Sequence, residues 1–368
     1  MAGLVPAIHV FRFVLPSRVL MSQTSPPLGL ERTRFETLEG WAEDDHAAAF
    51  AAFVRSCHAD PELPHAHAAA ALGPGVSSAV ARAFFEDRFQ PHLIAESSDP
   101  GFVTGYYEPK IEGSYARGGP FQVPVYRRPD DLITLAPESE RARFNDRITG
   151  LRQTAEGKVP YCTRQEIWAG ALTGRGLELL YLKDEVELFY MQVQGSGLVR
   201  LNEGGTARLS YDGKNGHPYT SIGKLLAERG AIAPGAMSMA AVKAWLRADQ
   251  ARGRALMEEN RSYVFFRVLD AEEGRDGPRG AQGVSLTPVR SLAVDTAYHR
   301  LGLPIFVTAD GLMTEDGHPF RRLMIAQDVG SAIRGPERGD IFWGTGEEAG
   351  AIAGSTRHRA RFHVLLPK

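Results

Sequence analysis

The residue pattern predicts a mainly β protein with a few helices, in which one β-domain interrupts another. Three observations carry this expectation. The chain has 368 residues, enough for two or three domains of ordinary size. Its 39 glycines and 23 prolines break the sequence into short strand-like runs, at a density below that of disordered chains. Along the chain the order is helices, strands, a helical pair, then strands again, which an insertion of one domain into another explains economically.

The first element is a helix over Asp44–Cys57, with Asp44 or Asp45 placed to cap it. A second helix is expected over Val76–Arg88, where Val80, Phe84 and Phe85 recur at helical spacing. Strands follow over Phe102–Tyr107 and Val123–Tyr126, then over Leu177–Leu182, Glu187–Gln194, Leu198–Leu201 and Ala207–Tyr211, separated by Gly, Pro and Asp turns. Helices return at Ser221–Glu228 and Met239–Leu246, with Ser221 and Ser238 as caps and Gly230 just past the first. The last strands are Ser262–Val268, Ile305–Val307, Arg322–Asp328, Asp340–Trp343 and Phe362–Leu366.

Composition sets bounds on function. Hydrophobic residues make up 43% and charged residues 23%, which supplies apolar mass for a core. Lys+Arg 42 against Asp+Glu 44 leaves a net charge of −2 with no basic run, which argues against a nucleic-acid partner. No uncharged run reaches the roughly 18 residues of a membrane helix. Residues 1–21 are mildly apolar but interrupted by Pro6, His9, Arg12, Pro16 and Arg18. They read as a doubtful start or a disordered tail, with Met21 as an alternative beginning; no export signal is evident and no lipid-attachment Cys follows. Ser22–Pro27 reads as linker. Cys57 and Cys162 fit either one disulfide in an oxidising compartment or two buried thiols.

The densest chemical signal lies in Arg322–Gly354. Leu323–Asp328 is apolar on both faces, as a central buried strand must be, and it ends in a carboxylate. A glycine-rich loop then leads to Asp340, which opens the apolar run Ile341-Phe342-Trp343. Carboxylates at the ends of paired strands can meet on one side of a barrel. Asp340 beside Phe342 and Trp343 should be desolvated, which raises its pKa toward that of a general acid. The plainer alternative is that both aspartates only accept hydrogen bonds from loop N–H groups. In the expected strand Glu187–Gln194, Tyr190, Gln192 and Gln194 share a face that suits sugar hydroxyls and a sugar ring. Thr104 and Tyr106 share a face of Phe102–Tyr107, a second hydroxyl-and-aromatic wall. Gly344–Gly350 lacks the spacing of a phosphate loop and reads as a strand packed closely on a short helix. His65 and His67 sit in an Ala-rich loop without partners at ligand spacing, so no metal is expected.

Six segments then resemble, in order, the motifs of the MltA family, the membrane-bound lytic murein transglycosylases A. They are GYYEP (Gly105–Pro109), QVQGSG (Gln192–Gly197), NGHPYTSIG (Asn215–Gly223), NRSYVFF (Asn260–Phe266), LTPVRSLAVD (Leu286–Asp295), and the pair AQDVGSAIRG (Ala326–Gly335) with DIFWGTG (Asp340–Gly346). The similarity runs from about Trp41 to Pro367. It implies a double-psi β-barrel, the 3D domain, over residues 22–109 and 222–368. An inserted β-barrel substrate domain would occupy residues 110–221, with a glycan groove between the two. By the same resemblance Asp340 is the catalytic acid, Asp328 supports or orients the site, and Asp295 is the remaining barrel aspartate. Tyr106, Tyr107, Gln192, Gln194 and Ser196 are the expected substrate contacts.

The implied reaction cleaves the β-1,4 bond between N-acetylmuramic acid and N-acetylglucosamine in peptidoglycan and leaves 1,6-anhydro ends, with no cofactor. The implied partner is the glycan strand, met by a monomer in the periplasm with peripheral outer-membrane association. Ser331 departs from the family's usual glycine, which ordinary backbone angles would tolerate. Two other readings use the same residues: a glycoside hydrolase with Asp328 as base, and a non-catalytic wall-binding module.

Overall fold

The computed structural model describes residues 29–94, 101–134, 148–314 and 316–368, the Pro234 side chain apart. The tail and linker expected over residues 1–27 lie outside the described residues. Strand β1 (Leu30–Arg32) leads into helices α1 (His46–Ala59), α2 (Ala66–Leu72) and α3 (Ser78–Arg88). Asp45 and Ser77 cap α1 and α3 by accepting from Ala48 N and Val80 N. Asp44 is not a cap; it forms a buried bidentate ion pair with Arg290 at 2.9 Å. Helix α2 replaces the loop expected around His65 and His67, because a run of alanines needs only packing against α1 to form a helix. Strands β2 (Phe89–Ile94) and β3 (Phe102–Glu108) follow.

The chain then builds a second unit. It contains β4 (Lys110–Ser114), β5 (Val123–Tyr126), β6 (Ile133–Thr134), β7 (Gly150–Thr154), β8 (Gly157–Pro160) and β9 (Glu178–Leu182). Next come α4 (Glu185–Gln194), β10 (Ser196–Leu201), β11 (Thr206–Lys214), α5 (Ile222–Glu228), α6 (Met239–Ala248), α7 (Gln250–Glu259) and β12 (Val264–Val268). Six of these strands form one sheet in the order β12-β11-β10-β4-β9-β5, and a bridge between Arg127 and Phe266 joins its two edges. β6, β7 and β8 make a separate small sheet.

The chain returns with β13 (Ser291–Val294), β14 (Pro304–Met313), β15 (Pro319–Asp328), β16 (Arg338–Thr345), α8 (Glu347–Ser355), β17 (Arg357–Arg359) and β18 (Arg361–Pro367). These join the first strands in a nine-stranded sheet ordered β1-β2-β18-β14-β15-β13-β16-β3-β17. The sheet curls until its β17 edge comes back against β14. The molecule is therefore mainly β, one β-domain interrupting another, as expected. β15 is central and buried on both faces: Leu323 and Ile325 meet the N-terminal helices, while Met324 and Ala326 fill the barrel side.

Two expectations are corrected. Glu187–Gln194 is a helix, not a strand. Asp184 accepts from Val186 N at its start, Glu185 and Glu187 favour the positive N-terminal end, and Gly195 closes it at φ 81°. Val186, Phe189 and Tyr190 then form a helical stripe packed on α5, α6 and α7. The inserted unit also does not end at residue 221. β12 pairs antiparallel with β11, and α5–α7 share a core with α4, so the insertion runs to about Val268. The two cysteines are separate buried thiols, and burial pushes Cys57 up to about 12.

Candidate active site

Four residues on neighbouring strands make one row across the large sheet. Ala293 on β13 is in register with Asp328 on β15 and with Asp340 on β16, and Asp340 is in turn opposite Thr104 on β3. Cross-strand partners point the same way. The two carboxylates therefore share a face, but on strands that flank β13 rather than on strands paired with each other, as had been expected. Ala293 is buried in one apolar cluster with Tyr106, Leu286 and Phe342. Tyr106 and Phe342, two residues further along β3 and β16, close one side, their rings 5.3 Å apart.

The two aspartates differ in what surrounds them. Asp328 Oδ1 accepts from Ala281 N at 2.8 Å and Val329 N at 2.9 Å, and Oδ2 accepts from the Tyr106 hydroxyl at 2.8 Å. Asp340 Oδ1 accepts from the Thr104 hydroxyl at 2.5 Å, while Oδ2 has no hydrogen-bond partner among the described residues. Both side chains are half-buried. Burial raises both pKa values; that of Asp340 reaches about 6, with Asp328 pushing the same way and Thr104 and Arg338 opposing. The loop-capping role weighed for both aspartates thus describes Asp328, not Asp340. The desolvating neighbour is Phe342. Trp343 lies on the opposite face, against Gly105 and Phe320.

The other expected site residues divide. Tyr106 is at the centre. Gln194 reaches β3, its side-chain oxygen accepting from Tyr107 N at 3.0 Å. Tyr107 faces away from the row, its ring against Gly350 and its hydroxyl 3.6 Å from Met239 Sδ. Gln192 is buried: it accepts from Arg164 at 2.6 Å and donates to Val264 O at 2.9 Å. With α4 a helix, Gln192 and Gln194 cannot share a face, which corrects the pairing expected for them. Ser196 is buried opposite Ser210 at the start of β10. Asp295 stands outside the row and pins the loop between β15 and β16, accepting from Gly335 N at 2.9 Å and from Arg334 at 3.5 Å. Ser331 in that loop has no positive φ, so its side chain is tolerated there.

Thr104 and Arg338 carry more of the site than their motifs suggest. Arg338 donates to Thr104 Oγ1 at 2.8 Å. Its signal was present in the sequence: Arg338, Asp340 and Phe342 alternate, as residues sharing one strand face must. Among the described residues, no three His, Cys, Asp or Glu side chains are grouped so as to hold a metal ion.

Comparison with known proteins identifies the family. Residues 102–267 match the MltA specific insert domain and residues 290–366 match the 3D domain. The membrane-bound lytic murein transglycosylase A of Vibrio cholerae is 36% identical over 269 residues, and that of Escherichia coli K12 36% over 267; each alignment covers 71% of this chain. The matched region spans 64% of the length of these curated relatives. Among solved structures, a membrane-bound lytic murein transglycosylase from Agrobacterium tumefaciens superposes with a TM-score of 0.83 at 35% identity, covering 92% of this chain and 98% of that one. MltA from Neisseria gonorrhoeae gives 0.77 at 33%, covering 93% and 94%. E. coli MltA with bound chitohexaose gives 0.67 at 29%, covering 94% and 93%.

Proposed function

This chain belongs to the MltA family, and we propose from that premise that it is a lytic murein transglycosylase acting through Asp340. One observation carries the reading: of two carboxyl groups on one face, only Asp340 keeps an oxygen without a partner among the described residues, and burial raises its pKa to about 6. Protonated Asp340 donates to the glycosidic oxygen as the bond from C1 of N-acetylmuramic acid breaks. The 6-hydroxyl of the same sugar closes on C1, and Asp340, now a carboxylate, takes that hydroxyl's proton. An attached nucleophile gains a large effective molarity and needs no second carboxylate to activate water. Asp328, already holding three donors, is poorly placed to serve as such a base, which counts against the hydrolase reading. Its charge instead favours the protonated form of Asp340.

The glycan strand lies against the face that carries Asp340, beside Tyr106, with Phe342 buried beneath as backing. The protein works as a monomer in the periplasm, with peripheral outer-membrane association. Digestion of murein sacculi followed by mass analysis tests the activity. Products one water lighter than reducing ends are expected. Reducing ends would make the protein a hydrolase, and binding without turnover would make it a wall-binding module.

A further inference from the structure

We propose that Thr104 and Arg338 are positioning residues that decide which oxygen of Asp340 carries the transferable proton; this rests on the transglycosylase reading above. A guanidinium has no lone pair, so in the 2.8 Å contact Arg338 donates and Thr104 Oγ1 accepts. The hydroxyl has one proton, and with Arg338 on its lone pair that proton is directed at Asp340 Oδ1, 2.5 Å away. Oδ1 is thereby an acceptor, and two protons cannot occupy one O···O line. Protonated Asp340 must therefore carry its own proton on Oδ2, the oxygen with no partner among the described residues.

The relay runs in one direction, from guanidinium to hydroxyl to carboxyl to sugar oxygen. Arg338 is itself fixed, donating to the Gly339 carbonyl with its guanidinium 5.5 Å from the Phe102 ring centroid. Thr104 is fixed by the parallel pairing of β3 with β16. After proton transfer the same hydroxyl hydrogen-bonds the carboxylate, so the geometry serves the acid step and the base step alike. A hydroxyl free to turn would let the proton settle on Oδ1, aimed into the strand instead of the groove.

Thr104→Val is close to isosteric and removes the hydroxyl, both as donor to Asp340 and as acceptor for Arg338. The titration of Asp340 is read by NMR of carboxyl-labelled aspartate, assigned with Asp340→Asn. The charged and titratable groups facing it, Asp328 on β15, Arg338 on its own strand and Tyr106 on β3, remain in the variant. Loss of a hydrogen bond onto the carboxylate moves the titration up by about one pH unit. On sacculi, kcat falls on the order of tenfold with KM unchanged, and the upper limb of the pH profile moves with the titration. Thr104→Ser restores all three, and Thr104→Ala repeats the loss without β-branching. A wild-type titration and kcat in both deletions, or no rescue by serine, overturns the relay. Absence of anhydro products from the wild type would instead sink the transglycosylase reading, while the titration still reports the hydrogen bond.

Discussion

Asp340→Asn should lose activity and gain stability, and the gain should depend on pH. Burial raises the Asp340 carboxyl from its ordinary 3.8 to about 6. The unfolded chain titrates near the lower value and the folded protein near the higher one. Below pH 4 both states largely hold the proton, and near pH 4 burial carries little charge penalty. As the pH rises through about 6, the folded protein must keep an anion out of water, and stability is lost. About two pH units at about 1.4 kcal/mol each give about 3 kcal/mol, and the carboxyl's partial opening to solvent reduces this to about 2. Asparagine carries no charge, and its Oδ1 can still accept from Thr104. The variant should match the wild type near pH 4 and exceed it by about 2 kcal/mol at pH 8, a few degrees in apparent Tm. Murein turnover should fall by about a thousandfold or more. Denaturation curves at pH 4, 6 and 8, run beside sacculus digestion, read both effects. A stability difference that does not grow with pH would refute desolvation as the source of the raised pKa. Turnover at the wild-type rate would remove Asp340 as the acid.

Asp328→Asn keeps acceptor geometry for Ala281 and Val329 but removes a negative charge that raises the Asp340 pKa. The upper limb of the pH–rate profile should therefore move to lower pH, with kcat at its optimum reduced by on the order of tenfold, far less than in Asp340→Asn. Asp295→Ala strips the loop over residues 329–337 of its contact to Gly335 N and should cost about 2 kcal/mol. Limited proteolysis should cut that loop faster, while mass analysis finds the product type unchanged.

Much of this site could be read in the sequence, because the relevant signals are local. A strand apolar on both faces and ending in Asp328, followed by a loop and Asp340, needs only period-two counting to place two carboxylates near each other. The alternation of Thr104 with Tyr106 likewise put both on one face. What escaped depends on distant partners. Glu187–Gln194 satisfies strand and helix periods equally well. The helix wins through the Asp184 cap, the left-handed Gly195, and a core supplied by α5–α7. Gln192 is claimed by Arg164, a buried cation among Trp168, Phe189 and Tyr263 that only the folded insertion assembles. Arg338 meets Thr104 because β16 runs parallel to β3, a pairing across 234 residues that no local pattern reveals.

Strand β3 explains why the insertion leaves the chain where it does. Its early residues, Thr104 and Tyr106, contact the two aspartates, and its last residue, Glu108, is fully buried at the crossing into the second unit. Glu108 accepts from Thr345 at the end of the acid's own strand at 2.8 Å, and lies 3.0 Å from Arg208 on β11 of the insertion. A buried pair of this kind adds little net stability over an apolar substitute, yet breaking it exposes an uncompensated charge to the interior, so it penalises any other arrangement of the two units. The pleat sends alternate residues of β3 to opposite sides: Tyr106 faces the carboxylates, while Gly105 lets Trp343 and α8 press close behind. A side chain at Gly105 would meet the Trp343 ring at 2.5 Å and push the strand toward the groove. One strand thus ties three distances together: acid to hydroxyl, barrel to helix, and barrel to insertion. A proton transfer that tolerates errors of only a fraction of an ångström is better served by that shared strand than by a flexible linker between separately folded domains.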